Sequence, residues 1–199
     1  MSRKLTLTDI ADLREYERER PEFRADVIEL KKRRRVGLGP FVTVLFENRD
    51  TIRFQIQEMA RVEKLLTDEA IETELRAYNP LVPEPGELAL TLFIELTSEL
   101  ALRDWLPRLV GIERTLELRI GTGDDRIVVP CIPDEEHQSQ LTRDEITASV
   151  HYLHFRLDAD QVDAFAAGPV ELALTHENYE HATPLGDDTL AELLADLRD

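Results

Sequence analysis

Cysteine is all but absent from this 199-residue chain. Cys131 stands alone, so no internal disulfide can form, and such sparing use fits a reducing cytoplasm. Long apolar runs are missing too. Nothing approaches the ~18 consecutive apolar residues of a membrane span. The start, Met1-Ser2-Arg3-Lys4-Leu5-Thr6, runs straight into a polar helical pattern without the apolar centre of a signal peptide. Positive charge is in deficit: 24 Lys and Arg face 41 Asp and Glu, a net charge of −17. Nucleic-acid wrapping needs a basic footprint, so that class of partner is not expected.

What is present describes a folded protein. A chain of this length hides roughly 70% of its unfolded surface and needs no staple. The 42% hydrophobic content exceeds that of disordered chains. Charge is unevenly placed. Residues 1–64 carry 15 basic and 12 acidic side chains, whereas residues 65–199 carry 9 and 29. One domain is expected over residues 1–199, with a helical part at 1–79, a Pro-rich linker at 80–87 and a sheet-rich part at 88–199.

Thr8 suits a helix N-cap, and the spacing of Ile10, Leu13 and Tyr16 predicts a helix to about Arg20. Pro21 suits the first turn of a second helix, which ends in the cations Lys31–Arg35 before Gly37, Gly39 and Pro40. The β-branched run Phe41–Phe46 reads as one buried strand. A helix follows from about Thr51 to Leu66, then another from Asp68 to Tyr78. Pro80, Pro83, Pro85 and Gly86 form a linker. Beyond it strands are expected at 88–96, 116–120, 126–132, 147–157 and 170–175, with helices at about 97–110, 159–167 and 188–197. Leu92–Ile120 and Tyr152–Leu174 echo each other as strand, cap, helix, Gly, strand. Together these predict an α+β fold: an N-terminal helical region with one strand, then a mixed β-sheet with two crossover helices and a C-terminal helix. The lone strand should join the C-terminal sheet, and an edge strand would invite a homodimer.

Four constellations carry candidate chemistry. Arg53, Gln57 and Arg61 recur every four residues on one helical face, with Asn48 and Arg49 at the turn before it. Such a face suits an anionic small molecule, because guanidinium binds carboxylate or phosphate bidentately. Glu58 beside that row is the acid/base candidate. Arg33, Arg34 and Arg35 within the basic run are a candidate anion site. His176 and His181, in an expected loop with Glu177 and Glu180, are the better candidates for iron or zinc. Cys131 with Glu135, Glu136 and His137 is a further metal option. His151 and His154 sit three apart in a strand pattern, which puts them on opposite faces. Gly37-Leu38-Gly39 lacks the third glycine and the strand-to-helix context of a nucleotide loop.

The stretch Leu45-Phe-Glu-Asn-Arg-Asp-Thr-Ile-Arg-Phe-Gln-Ile-Gln-Glu-Met-Ala-Arg-Val-Glu63 resembles a bacterial family, domain-of-unknown-function family 3501. Leu30–Arg34, Tyr78–Pro83 and Ser149–Phe155 fit the same family, and the likeness runs from Leu5 to Leu197. The resemblance implies no catalytic residues. It implies a gene neighbourhood with rubrerythrin-like and iron–sulfur proteins, hence a protein partner of redox or iron type. The resulting expectation is a cytoplasmic accessory protein whose acidic body steers it to a basic partner surface. The alternatives are a small-molecule-binding protein or enzyme using the polar face of helix 51–66, and a metal-binding protein.

Overall fold

The computed structural model describes residues 3–134 and 146–198. Thr6, not Thr8, precedes the first element, a 3-10 turn at Leu7–Asp9. The Asp12 carboxylate then accepts from the backbone N–H of Arg14 and Glu15, at 2.8 and 2.9 Å, and starts α1, Leu13–Arg34. One helix therefore stands where two were expected. Pro21 lies inside it; proline forfeits one N–H donor, and the turns on either side carry the helix past the gap.

Arg35 leaves the helix directly into β1, Arg35–Leu38, so the N-terminal region holds two strands rather than one. Gly39, at φ +74°, reverses the chain into β2, Val42–Glu47. The side chain of Asn48 then caps α2, Arg49–Glu63, and the Thr67 hydroxyl caps α3, Asp68–Tyr78. The Pro-rich segment that follows is not a loose spacer. It forms a 3-10 turn at Asn79–Leu81, and Leu81 and Val82 are buried.

The rest follows the predicted alternation with three departures: α4 is shortened, the strand expected at 126–132 is split in two, and an unpredicted strand occupies 179–184. The elements are β3 (Glu87–Ile94), α4 (Glu99–Trp105), β4 (Leu116–Ile120), β5 (Ile127–Pro130), β6 (Ile132–Pro133), β7 (Val150–Arg156), α5 (Ala159–Ala167), β8 (Val170–His176), β9 (Tyr179–Pro184) and α6 (Asp187–Arg198). The α+β class holds. The mixed sheet does not: the strands form two sheets, ordered β1-β2-β3-β7-β6 and β5-β4-β8-β9, and every pairing is antiparallel. The two echoing segments explain why. β3–α4–β4 and β7–α5–β8 each leave the first sheet and enter the second. β3 then pairs with β7 and β4 with β8, head to tail. No two neighbours run parallel.

The inner faces of the sheets meet. Val44, Phe46, Leu90, Leu92, Leu153 and Phe155 from one sheet join Leu116, Leu118, Ile120, Leu172 and Leu174 from the other in the main core. Cys131 sits in that core where β5 gives way to β6 and the chain changes sheet. On the opposite side the Thr183 hydroxyl donates to the Gly37 carbonyl at 2.8 Å, and the Tyr179 hydroxyl to the Leu38 carbonyl at 2.7 Å. β9 is thus stitched to β1. As expected, β2 joins strands of the C-terminal part. Lying between β1 and β3, however, it is not an edge available to a second copy.

α2 and α3 cover part of the outer face of the five-stranded sheet. Leu5, Ile52, Ile56, Leu75, Leu81 and Val82 form a second, smaller core there, with Tyr152 against it. α6 lies against α1, α5 and β3. Among the described residues, no helix is long and apolar enough to cross a membrane.

Candidate functional site

The polar face of α2 is turned toward α1 and the segment before it. Asn48 spends its side-chain oxygen on the N–H groups of Asp50 and Thr51, at 3.1 and 3.0 Å. Arg49 pairs with Asp9 and also donates to the Arg3 carbonyl at 3.2 Å. Arg53 donates to the Asp9 carbonyl at 2.9 Å, pairs with Glu19 at 3.1 Å and lies over the Phe23 ring. Gln57 is fully buried. Its amide accepts from the Ala11 N–H at 2.8 Å and donates to the Ala11 carbonyl at 3.2 Å, as a peptide group would. Arg61 pairs with Glu17 at 2.5 Å.

Glu58 is the centre of this seam. Arg20 grips both of its oxygens, at 2.7 and 3.0 Å, and the buried Tyr16 hydroxyl donates to one of them at 2.7 Å. The Arg20 bonds above all hold the Glu58 carboxyl below the ordinary carboxylate range. Burial first, and the bond to Glu58 second, push the Tyr16 phenol well above its usual value. Of the residues singled out along α2, Arg53, Glu58 and Arg61 meet α1, Arg49 and Gln57 meet the segment before it, and Asn48 caps its own helix, so each has a protein partner.

The basic run disperses. Arg33 pairs with Glu192 of α6 at 2.7 Å. Arg34 is fully buried: it donates to the carbonyls of Phe46 and Glu47, at 2.9 and 3.2 Å, and pairs with Glu192 and Asp196. Arg35 pairs with Glu95 at 3.1 Å and lies over the Phe93 ring. The three guanidinium groups do not converge.

His181 lies in strand β9 rather than in a loop, and its ring packs on that of Tyr179, 4.5 Å between centroids. His176 has both ring nitrogens engaged. Nε2 meets the Val110 carbonyl at 3.1 Å, and Nδ1 accepts from the Asn178 N–H at 3.2 Å. That leaves no lone pair for a metal in this tautomer. Glu135, Glu136 and His137 lie outside the described residues. Among the described residues, no group of three His, Cys, Asp or Glu side chains is placed to hold a metal ion. His151 and His154 do face opposite ways: His151 is buried on the inner face, within reach of the Thr147 hydroxyl at 3.0 Å, while His154 is on the outer one.

The feature that sequence reasoning missed is a cleft of about 230 Å³ on the outer face of the five-stranded sheet. Its floor comes from alternate residues of three adjacent strands: Leu45 and Glu47 of β2, Thr91 and Phe93 of β3, Val150 and Tyr152 of β7. Thr51, Ile52 and Gln55 of α2 form one wall, with Tyr78 at the end of α3 and Leu81 beyond it forming another. Lys31 and Arg35 stand at the rim.

Glu47 gives the cleft its chemistry. It is only 7% exposed, yet among the described residues no cation pairs with it. The Thr91 hydroxyl donates to one carboxylate oxygen at 2.7 Å, and the Thr51 hydroxyl to the other at 2.5 Å. Burial raises the Tyr152 phenol above its usual value, and Tyr78 and the Glu47 charge add to the rise. One sequence signal existed. Glu47 closes an apolar run in register with Leu45, with Thr51 one helical turn later. Its cross-strand partner chemistry, Thr91, lies 44 residues away and could not be read.

A hollow of about 160 Å³ between the first 3-10 turn and α3 is lined by Leu7, Ile10, Leu65, Leu66 and Ile71 together with Asp12, Thr67 and Asp68. Its carboxylates are Asp12, which caps α1, and Asp68, at the start of α3. The Glu47 cleft is therefore the better site: concave, part apolar, with a few convergent polar groups.

Comparison with known proteins agrees with the fold and is silent on chemistry. No curated protein matches the chain. A crystal structure of a novel protein of unknown function from Burkholderia pseudomallei K96243 is similar over 98% of this chain and 99% of its own, at 38% identity and a TM-score of 0.88. The model of the family described as protein of unknown function (DUF3501) matches residues 4–197. From Lys4 to Leu197, then, the chain belongs to the DUF3501 family.

Proposed function

We propose that this DUF3501 protein binds a small molecule, and that the Glu47 cleft is its site. One observation carries the reading: a buried carboxylate on the floor of a cleft, held by two hydroxyls and neutralised by no cation. Structural ion pairs abound elsewhere on the chain, so the missing cation marks this place. A buried charge left unpaired costs several kcal/mol by order of magnitude, and binding sites are where such a cost is retained. α2 contributes to this site through Thr51, Ile52 and Gln55, not through the arginine row. The test is a metabolite screen by ligand-observed NMR against the wild type and Val150→Trp, which fills the cleft from its floor. Compounds that bind the wild type and are lost from Val150→Trp are expected. No binder, or binders indifferent to Val150→Trp, would sink the reading.

The acidic body favours a second reading, a cytoplasmic accessory protein for a redox- or iron-linked partner. Residues 65–199 carry 29 acidic against 9 basic side chains, which suits steering toward a basic surface. Capture of such a partner by the native chain, lost on charge reversal of exposed carboxylates and at raised salt, would support it. Capture that ignores both changes would count against it.

A further inference from the structure

Resting on the reading of the cleft as a binding site, we infer that its occupant is a small zwitterion of the amino-acid class. Its ammonium sits on the Glu47 carboxylate and its anionic group meets Lys31.

Charge balance argues for the ammonium. Thr51 and Thr91 each supply one hydrogen bond to Glu47, which fixes both oxygens but adds no positive charge. The buried cation bonded to the Glu47 main chain is spent elsewhere. Arg34 meets the Glu47 main-chain carbonyl, while its charge answers Asp196 and Glu192. Each carboxylate oxygen has acceptor capacity beyond its one threonine bond. A primary ammonium brings three donors and the missing charge, and charge-assisted bonds of this kind are the strong ones. A bare anion would meet the Glu47 charge on the floor.

The rim argues for an anionic group at the other end. The Lys31 ammonium lies 5.5 Å from the centroid of the Phe54 ring and makes no ion pair with a described residue. Arg35 beside it has Glu95 as its partner. A ligand bearing only positive charge would pass these two cations uncompensated. A molecule with both signs satisfies floor and rim together. Between them, Leu45, Ile52, Phe93 and the two tyrosines offer an apolar and aromatic wall for a side chain. The volume of about 230 Å³ suits a single small metabolite rather than a nucleotide or a peptide. A metal is a poor alternative, since the cleft offers one carboxylate and no imidazole or thiolate.

The experiment titrates the full chain with the standard amino acids by calorimetry and thermal shift. Any binder is then compared with its N-acetylated and its carboxamide forms. At least one amino acid should bind. N-acetylation, and separately Glu47→Gln, should weaken it about tenfold or more, the scale of one charge-assisted bond. The carboxamide form and Lys31→Met should weaken it by a smaller factor, because that end is more exposed to water. If Glu47→Gln fails to fold, the acetylation comparison on the wild type decides alone. Binding that survives acetylation overturns the assignment of the ammonium to Glu47. Binders from the wider screen that depend on the cleft but carry no amine overturn the zwitterion and leave the cleft as a site. The absence of any binder overturns both.

Discussion

Two carboxylates eleven residues apart, Glu58 and Glu47, sit on the two sides of one stretch of chain and are treated oppositely. Glu58 looks toward α1, where Arg20 and Tyr16 meet it with a charge and a hydroxyl. Glu47 looks toward the outer sheet face, where it meets hydroxyls alone. The first arrangement is complete within the protein. The second has its geometry settled and its charge unanswered. The contrast teaches that ion-pair density sets the two places apart: the seam is saturated, the cleft is not.

The largest effect that bears on this comparison is expected at Arg34, the fully buried cation of the saturated region. Arg34→Met leaves the mostly buried Asp196 without its ion-pair partner, while Glu192 keeps Arg33, and should cost about 3–5 kcal/mol in urea unfolding. A loss under about 1 kcal/mol would show that the network is ornamental. Next, Glu58→Gln removes the charge that Arg20 grips and should cost about 1–2 kcal/mol. Glu47→Gln, by contrast, should leave the melting temperature nearly unchanged or raise it, since an amide needs no cation. Equal losses in the two variants would erase the distinction drawn between them. Tyr16→Phe is a smaller change, about 1 kcal/mol, for the hydroxyl that shares Glu58 with Arg20.

Acid should act on the regions in sequence. Burial lowers the pKa of His154 below its ordinary 6.5, so the unfolded chain binds a proton that the folded one resists. Its stabilising contribution is whole above about 6.5 and declines as pH falls through the lowered folded value. Glu58, also lowered, follows in a more acid window. Its contribution is present above the ordinary 4.5 and is lost as pH falls through its folded value. Stability measured by urea unfolding from pH 7.5 to 3 should therefore decline in two stages; His151, also lowered by burial, shares the first with His154, so His154→Asn should shrink it. An unaltered first stage in that variant would assign it to another group.

Several parts of the fold were legible locally. The run Phe41–Phe46, the α3 pattern, the β4–β5 hairpin and the capped helix Ala159–Ala167 are decided within a dozen residues each. The boundary at Pro21 misled because a proline at the start of a helix and one inside it leave the same mark in a sequence. The segment 35–38 was hidden by its glycine-rich neighbours. β1 exists because β2 offers it a ladder from Arg35 with Leu45 to Leu38 with Val42. His181 looked like a loop residue for the same reason, since β9 needs β8 to be a strand.

The candidate site divides along the same line. By itself the sequence determined the α+β class, the charge asymmetry and the presence of a polar row along α2, each a matter of composition or short-range period, and the family through the resemblance of its 45–63 stretch. Tertiary structure decided what those polar residues do. A helix period says which side chains share a face but not which neighbour the face will meet. Here α1 supplied Glu17, Glu19 and Arg20 to close the row. Whether a carboxylate finds a cation or only hydroxyls depends on strands and helices far apart in sequence. Glu47 became the distinctive residue only when β3 brought Thr91 beside it and no helix brought an arginine to its carboxylate.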